Sequence, residues 1–329
     1  NSGTYSRYSE MVTEIIKETV PVYEKTSIDE FYADLTGLDK FHSSYQMASE
    51  LRTRIRQETG LPISFGLSKN KTVSKVATGV AKPDNQLKVA YGEEKPFLAP
   101  LSVSKIPMVG EKTQHTLYSL GVKKIQTIQE MPMELMEKVL GKNGVSIWKK
   151  ANGIDNSPVV PYSERKSIST ERTFDRDTID MVKLRAILLA MAENLAFQLR
   201  RGLKLTACVT VKVRYSDFNT YTLQSRIPYT SADHVLIPKV MELFKKLYNR
   251  RLLVRLIGVR FSHLVEGGYQ INLFEDAEEV INLYHAMDKI RDKYGDRKVM
   301  RAYGIEAKTI SRFNPFSGEP PPLLANRRQ

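Results

Sequence analysis

The chain has 329 residues, 41% of them hydrophobic, which is enough for packed cores and too long for one ordinary domain, so two or three domains are expected. Lys and Arg number 50 against 37 Asp and Glu, a net charge of +13, and residues 161–265 alone carry 19 basic and 9 acidic side chains; that concentration points to a polyanionic partner. The single cysteine, Cys208, excludes an intramolecular disulfide framework, no apolar stretch approaches a membrane span, and a reducing, cytoplasmic setting is expected.

The chain opens Asn1-Ser2-Gly3-Thr4 and passes at once into helical spacing over residues 5–19 (Tyr8, Met11, Val12, Ile15, Ile16), as though it begins within a domain. Val20 to Lys25 and Phe31 to Leu35 read as strands, which places Asp29 and Glu30 at or beside a hairpin tip. Neighbouring side chains in a regular strand point to opposite faces, but a turn breaks that alternation and lets adjacent carboxylates converge. Such a pair suits a hard divalent cation such as magnesium, which favours carboxylate oxygens and shares its shell with substrate phosphates. The plain alternative is an acidic surface turn. A helix from about His42 to Thr59, a buried strand over Pro62 to Leu67 and a Lys-rich helix from Asn70 to Val80 complete an α/β sheet domain.

From Pro100 to Ile154 the pattern changes to short helices with turn signals and no strands. Ile106 through Thr113, followed by Leu117, Leu120-Gly121-Val122 and Ile125, fits two short helices joined by a glycine hairpin. Backbone N–H groups at such a hairpin can hold a phosphate without reading a base, the alternative being an ordinary helical turn. Residues 155–166 read as a linker with a basic end. Beyond it, strand (167–174), helix (180–200), strand (204–215), strand (219–227), helix (232–248) and strand (254–264) form a β-α-β-β-α-β unit with both helices on one face of a four-stranded sheet. Leu205, Ala207, Val209, Val211 and Val213 are expected against the helices, with Thr206, Cys208, Thr210, Lys212 and Arg214 on the open face. Ile257, Val259 and Phe261 point inward with Arg260 opposite, and Arg255 precedes them on a less regular stretch. A basic, hydroxyl-bearing sheet face suits a nucleic-acid backbone; an ordinary solvated face is the alternative.

Six motifs recur in one order over residues 20–264: Ser27-Ile28-Asp29-Glu30 with Tyr32 and Asp34, Gly66-Leu67-Ser68-Lys69-Asn70-Lys71, Ala81-Lys82-Pro83, the hairpin around Gly110, Arg165-Lys166-Ser167-Ile168, and Ile257-Gly258-Val259-Arg260-Phe261-Ser262. In these the chain resembles the Y-family DNA polymerases, the translesion enzymes, and most closely the bacterial DNA polymerase IV type. The resemblance implies an α+β/α multidomain fold: a partial palm over residues 1–100 without fingers, a small helical thumb with a helix-hairpin-helix over 101–157, a linker at 158–166, and a β-α-β-β-α-β little finger over 167–265. It implies low-fidelity, template-dependent transfer of a nucleotide from a dNTP to a primer 3′-hydroxyl, with two magnesium ions. Asp29 would bridge both ions and Glu30 would help hold the one that activates the nucleophile. Lys82 would contact the triphosphate, and Gly110 with Lys112 a primer phosphate. Lys166, Ser167, Lys212, Arg214, Arg255 and Arg260 would face the template-primer duplex.

Two departures stand out. Met108 occupies the place where the hairpin often has its first glycine, and the family's N-terminal Asp motif with its steric-gate aromatic has no counterpart. The expectation is therefore a polymerase of which this stretch alone is inactive or nearly so. A non-catalytic DNA- and clamp-binding fragment is the alternative of a different class. A DNA glycosylase or structure-specific nuclease, suggested by the helical hairpin alone, leaves Asp29 and Glu30 unused. Past the last strand, Gln270-Ile271-Asn272-Leu273-Phe274 is similar to the peptide that docks bacterial polymerases on the sliding clamp, with Leu273 and Phe274 in an apolar pocket and Gln270 bonding at its edge. Residues 266–329 are read as this motif, an amphipathic helix over 278–294 and a disordered tail. A monomer without membrane attachment is expected.

Overall fold

Val12, Ile15 and Ile16 recur at helical spacing and all three are buried, which makes Ser2–Thr19 helix α1. The computed structural model describes residues 2–38, 43–267, 278–295 and 298–304, in two compact units that divide between Ser163 and Glu164. In the first unit, strands β1 (Val22–Lys25) and β2 (Phe31–Asp34) pair antiparallel with Lys25 opposite Phe31, so residues 26–30 are the hairpin loop. Helix α2 (Ser44–Thr59) packs Ile55 against Val12, Ile15, Ile16 and Val20, closing a small core over the hairpin.

A second core is organised by helix α3 (Lys71–Ala81), which connects two parallel strands, β3 (Phe65–Leu67) and β4 (Gln86–Lys88). Gly66 is what lets β3 approach α3: a Cβ there would lie 2.4 Å from Ser74 O and 2.6 Å from the Ala77 Cβ. Val73, Val76 and Ala77 on the buried side of α3 share one apolar core with Leu98 of α4 (Glu94–Leu98) and with Leu117, Ile128, Met136 and Ile147. Those last four come from α5 (Glu111–Ser119), α6 (Ile125–Glu130), α7 (Met133–Leu140) and α8 (Lys142–Ala151). The sequence boundary near residue 100 thus falls inside a continuous core.

Gly153 and Asp155, the latter opening the 155–166 stretch read from sequence as linker, are bound to the N-terminus of α3. Asn70 Oδ1 accepts the Val73 N–H at 3.0 Å as the N-cap, and its amide donates to Gly153 O at 2.8 Å. Asp155 Oδ2 accepts from both the Thr72 N–H (3.1 Å) and the Thr72 hydroxyl (2.7 Å). A carboxylate is favoured at the positive end of a helix, where backbone N–H groups lack intrahelical partners.

The second unit is a four-stranded sheet in the order β5-β8-β6-β7, antiparallel throughout: β5 (Ser167–Thr178), β6 (Lys204–Tyr215), β7 (Thr220–Thr230) and β8 (Val254–Glu266). Helices α9 (Met181–Arg201) and α10 (Asp233–Leu247) cover one face, and Val209, Val211, Val213, Ile257, Val259 and Phe261 meet them as the alternation requires. At the other face the sheet is less open than its pattern suggests, because Thr206 and Cys208 are both buried. Helix α11 (Glu278–Tyr294) forms where an amphipathic helix is expected, but the side it turns inward is mixed, with Val280, Ile281 and Met287 half-buried around Tyr284 and Arg291. Tyr284 and Arg291 are buried while Leu283, Ile290 and Tyr294 are exposed. The reason is Arg200 of α9, nearly buried, which bonds Asp233 of α10 and Asp288 of α11, each at 2.6 Å. Gln270, Leu273 and Phe274 lie outside the described residues, as does the tail from residue 305.

Hydrogen bonds from Ser157 and Thr72 outweigh the burial that would raise the Asp155 carboxyl, and hold it below its ordinary value. Its stabilising effect is therefore present above about pH 4 and is lost as the pH falls through the lower folded value. Asp155→Ala should cost about 1 kcal/mol in urea unfolding at pH 7, and progressively less as the pH falls through the lowered folded value.

Candidate active site and nucleic-acid interface

The hairpin loop is closed by Glu30 O, which accepts the Thr26 N–H at 3.0 Å and the Ser27 N–H at 3.4 Å. Ser27 Oγ donates to Asp29 Oδ1 at 2.6 Å, so Asp29 stands exposed at the tip with one oxygen oriented and the other open. Glu30 is half-buried, and Lys75 Nζ of α3 lies 2.6 Å from its Oε2. One turn earlier on the same helix face, Lys71 Nζ lies 2.6 Å from Glu24 Oε2 and 4.8 Å from the centre of the Tyr32 ring. Glu24 Oε2 also accepts the Val160 N–H at 2.8 Å. Burial first, and then the charges of Glu30, Glu24 and Asp155, push the Tyr32 phenol up to about 12, so it stays neutral at physiological pH.

Lys82 follows the last turn of α3, exposed. It lies seven residues beyond Lys75, about 10 Å along the same side of the helix. The hairpin carboxylates and Lys82 therefore flank one stretch of that helix face. Asp29 and Glu30 offer hard oxygen donors on an accessible loop, with the Lys75 ammonium against Glu30. Among the described residues no group of three or more His, Cys, Asp or Glu side chains is placed to hold a metal. A magnesium ion fits such a two-carboxylate site when substrate phosphates and water complete its shell.

The hairpin at Gly110 differs from its sequence reading. The segment before it is a single 3-10 turn (Val103–Lys105) rather than a helix, and Gly110 is the N-cap of α5 with an unstrained φ of −85°. The left-handed residue is Met108, at φ 84°. Gly110 and Lys112 are exposed, and the first intrahelical bond is Gln114 N–H to Gly110 O, so the N–H groups of residues 111–113 point outward from the helix start.

In the second unit, strand register lines up four rows across the open face. They are Ser167–Ser262–Cys208–Arg226, Ser169–Arg260–Thr210–Gln224, Glu171–Gly258–Lys212–Thr222 and Thr173–Leu256–Arg214–Thr220. Arg260 is exposed at the centre, and Lys166 is exposed just before the first row. Lys212 is ion-paired to Glu171, and Arg214 Nε donates to Thr220 Oγ1 at 2.8 Å. Arg255 shares the parity of Ile257 and Val259 instead. Its guanidinium lies over the Phe218 ring at 4.5 Å, and 3.5 Å from Asp177 Oδ1.

Family models match both units: the impB/mucB/samB family over residues 1–79 and its C-terminal domain over residues 165–273. The chain is 36% identical over 311 residues to DNA polymerase IV of Dehalococcoides mccartyi, covering 93% of this chain and 80% of that protein. It is 33% identical over 308 residues to DNA polymerase IV of Clostridium acetobutylicum, covering 92% and 78%. The chain belongs to the impB/mucB/samB family of Y-family DNA polymerases. Its fold agrees with a Y-family DNA polymerase chimera of Dbh and Dpo4, at a TM-score of 0.67 with 20% identity over 81% of this chain and 78% of that one. A Dbh DNA polymerase in an insertion ternary complex gives 0.57 at the same identity and coverage.

In this Y-family chain the hairpin brings Asp29 and Glu30 together on one loop, and the sheet brings Ser167, Lys212, Arg214 and Arg260 onto one face. Sequence reasoning missed Glu24, Lys71 and Lys75, which tie the hairpin to α3, and Arg226, which ends the first row. The Lys71/Lys75 pair was visible as an i, i+4 spacing on the side of α3 opposite Val73, Val76 and Ala77. Nothing in the sequence reports which strand residue faces Arg226, since that depends on register.

Met108 should be strained, because a side chain at that φ crowds the backbone. Met108→Gly is expected to raise the unfolding free energy by about 1 kcal/mol, read by urea denaturation. An unchanged or lowered midpoint would show that the hairpin holds Met108 without strain.

Proposed function

We propose that this chain carries out template-dependent, low-fidelity translesion DNA synthesis, joining a deoxynucleotide to a primer 3′-hydroxyl. The observation that carries the reading is the Asp29–Glu30 pair at the tip of a hairpin braced against α3, in a member of a polymerase family. Asp29 and Glu30 would hold the magnesium ions, two in number. Bound there, such ions would lower the pKa of the primer hydroxyl and neutralise charge on the triphosphate. Asp29 would help hold both ions. Glu30 would serve the nucleophile side, its carboxylate positioned by Lys75. Lys82 meets the triphosphate as a point charge. Tyr32, neutral and beside both hairpin glutamates, fills the base of the site without adding charge to it.

The remaining assignments concern the grip on DNA. The outward N–H groups after Gly110, with Lys112, take a primer phosphate in the manner of a helix N-terminus. Lys166, Ser167, Lys212, Arg214 and Arg260 contact the template-primer backbone from the open sheet face, with Arg226 beside them and Arg255 at the sheet's end. In domain terms the first unit supplies palm and thumb, and the second the little finger. Gln270, Leu273 and Phe274 dock the sliding clamp, a reading supported by their sequence alone. The protein works on DNA as a monomer.

Asp29→Asn and Glu30→Gln should each lower magnesium-dependent primer extension more than about 100-fold while changing template-primer affinity less than about twofold. Extension that survives both substitutions would remove the metal role. A large loss of DNA affinity would place the pair in binding instead.

A further inference from the structure

Glu171 is the only acid among the described residues of the four rows on the open sheet face, and its place there is built. Its partner Lys212 lies two strands away, with β8 running between them. The β8 residue in that row is Gly258, and a Cβ at Gly258 would lie 2.7 Å from the Glu171 Cγ. Only a residue without a side chain leaves room for the Glu171 stem to cross the middle strand and bring its carboxylate to the Lys212 ammonium. Arg260 and Arg214 stand in the rows on either side of this pair, on the same face.

We infer that Glu171 is an internal stand-in for a DNA phosphate, which the duplex must displace from Lys212. The inference rests on the reading of this face as a DNA contact. The pair stays accessible, with about a third of each side chain exposed (33% for Lys212 and 40% for Glu171). An exposed ion pair of this kind is worth little, so a backbone phosphate competes for the ammonium at small cost. While the pair is intact, it removes one positive charge from the count that meets DNA. The grip on the duplex is weaker and more exchangeable than the cations alone would make it.

The test is template-primer binding by fluorescence anisotropy, without nucleotide, over about 50 to 300 mM salt. Glu171→Gln keeps the shape and removes the charge. It should bind at least about threefold tighter near 0.1 M salt, with the slope of log K against log salt steeper by about 0.9. On a Lys212→Gln background the same change should give no gain. Glu242→Gln, which alters net charge equally on α10 where Glu242 pairs with Lys239 and Lys246, should leave binding unchanged. Arg260→Gln reports on the face itself and should weaken binding. Thermal melts of each variant confirm folding. If Arg260→Gln weakens binding but Glu171→Gln leaves it unchanged or weaker, the stand-in role is overturned and the DNA face stands. A gain from Glu171→Gln that persists without Lys212 also overturns it. If neither Arg260→Gln nor Lys212→Gln affects binding, the DNA face itself is wrong.

Discussion

Two ammonium–carboxylate contacts, Lys71 to Glu24 and Lys75 to Glu30, join the β1–β2 hairpin to helix α3, and the arrangement of the first unit's site follows from them. They differ in kind. Lys71 and Glu24 are mostly buried, their charges further engaged by the Tyr32 ring and the Val160 N–H. Lys75 and Glu30 are both about two-fifths exposed (40% and 45%), and a pair in that setting contributes at most about 1 kcal/mol. The inner pair therefore fixes the hairpin in place, while the outer one holds Glu30 more loosely. Both depend on α3 being apolar on its other side, where Val73, Val76 and Ala77 enter the shared core, and on the anchoring of its N-terminus by Asn70 and Asp155.

The second unit solves a different problem. A sheet covered by helices on one face only must present polar residues on the other, and strand alternation delivers them in rows. The row geometry decides which charges are available. Arg260 is presented outward, Lys212 is held by Glu171, and Arg255 is turned to Phe218 and Asp177. Behind the helices, Arg200 with Asp233 and Asp288 forms a nearly buried ionic junction. Buried ion pairs are weak evidence for stability because desolvation offsets the attraction. The junction's clearer consequence is positional, since it sets which side of α11 turns inward.

Much of this was legible in the chain itself. The β-α-β-β-α-β order, the inward run Val209, Val211, Val213 and the hairpin bracketing Asp29 and Glu30 all follow from periodicity and turn placement, because burial imposes a period of two on strands and 3.6 on helices. Strand β4 and helix α4 were missed, being three and five residues long and too short for any period to register. The segment around Asp155 was read as linker because its Asp-Asn-Ser-Pro composition is that of a loop, and composition does not reveal that a loop caps a distant helix.

The sequence by itself determined the carboxylate pair, the concentration of basic residues in residues 161–265 and the family to which the chain belongs. These are matters of residue identity, order and local spacing. Only the tertiary structure decided which charges meet. Lys75 is 45 positions from Glu30, Lys212 is 41 from Glu171, and Arg200 is 88 from Asp288. No local period carries information across such separations, so those contacts exist only once strand register and core packing have set the distances.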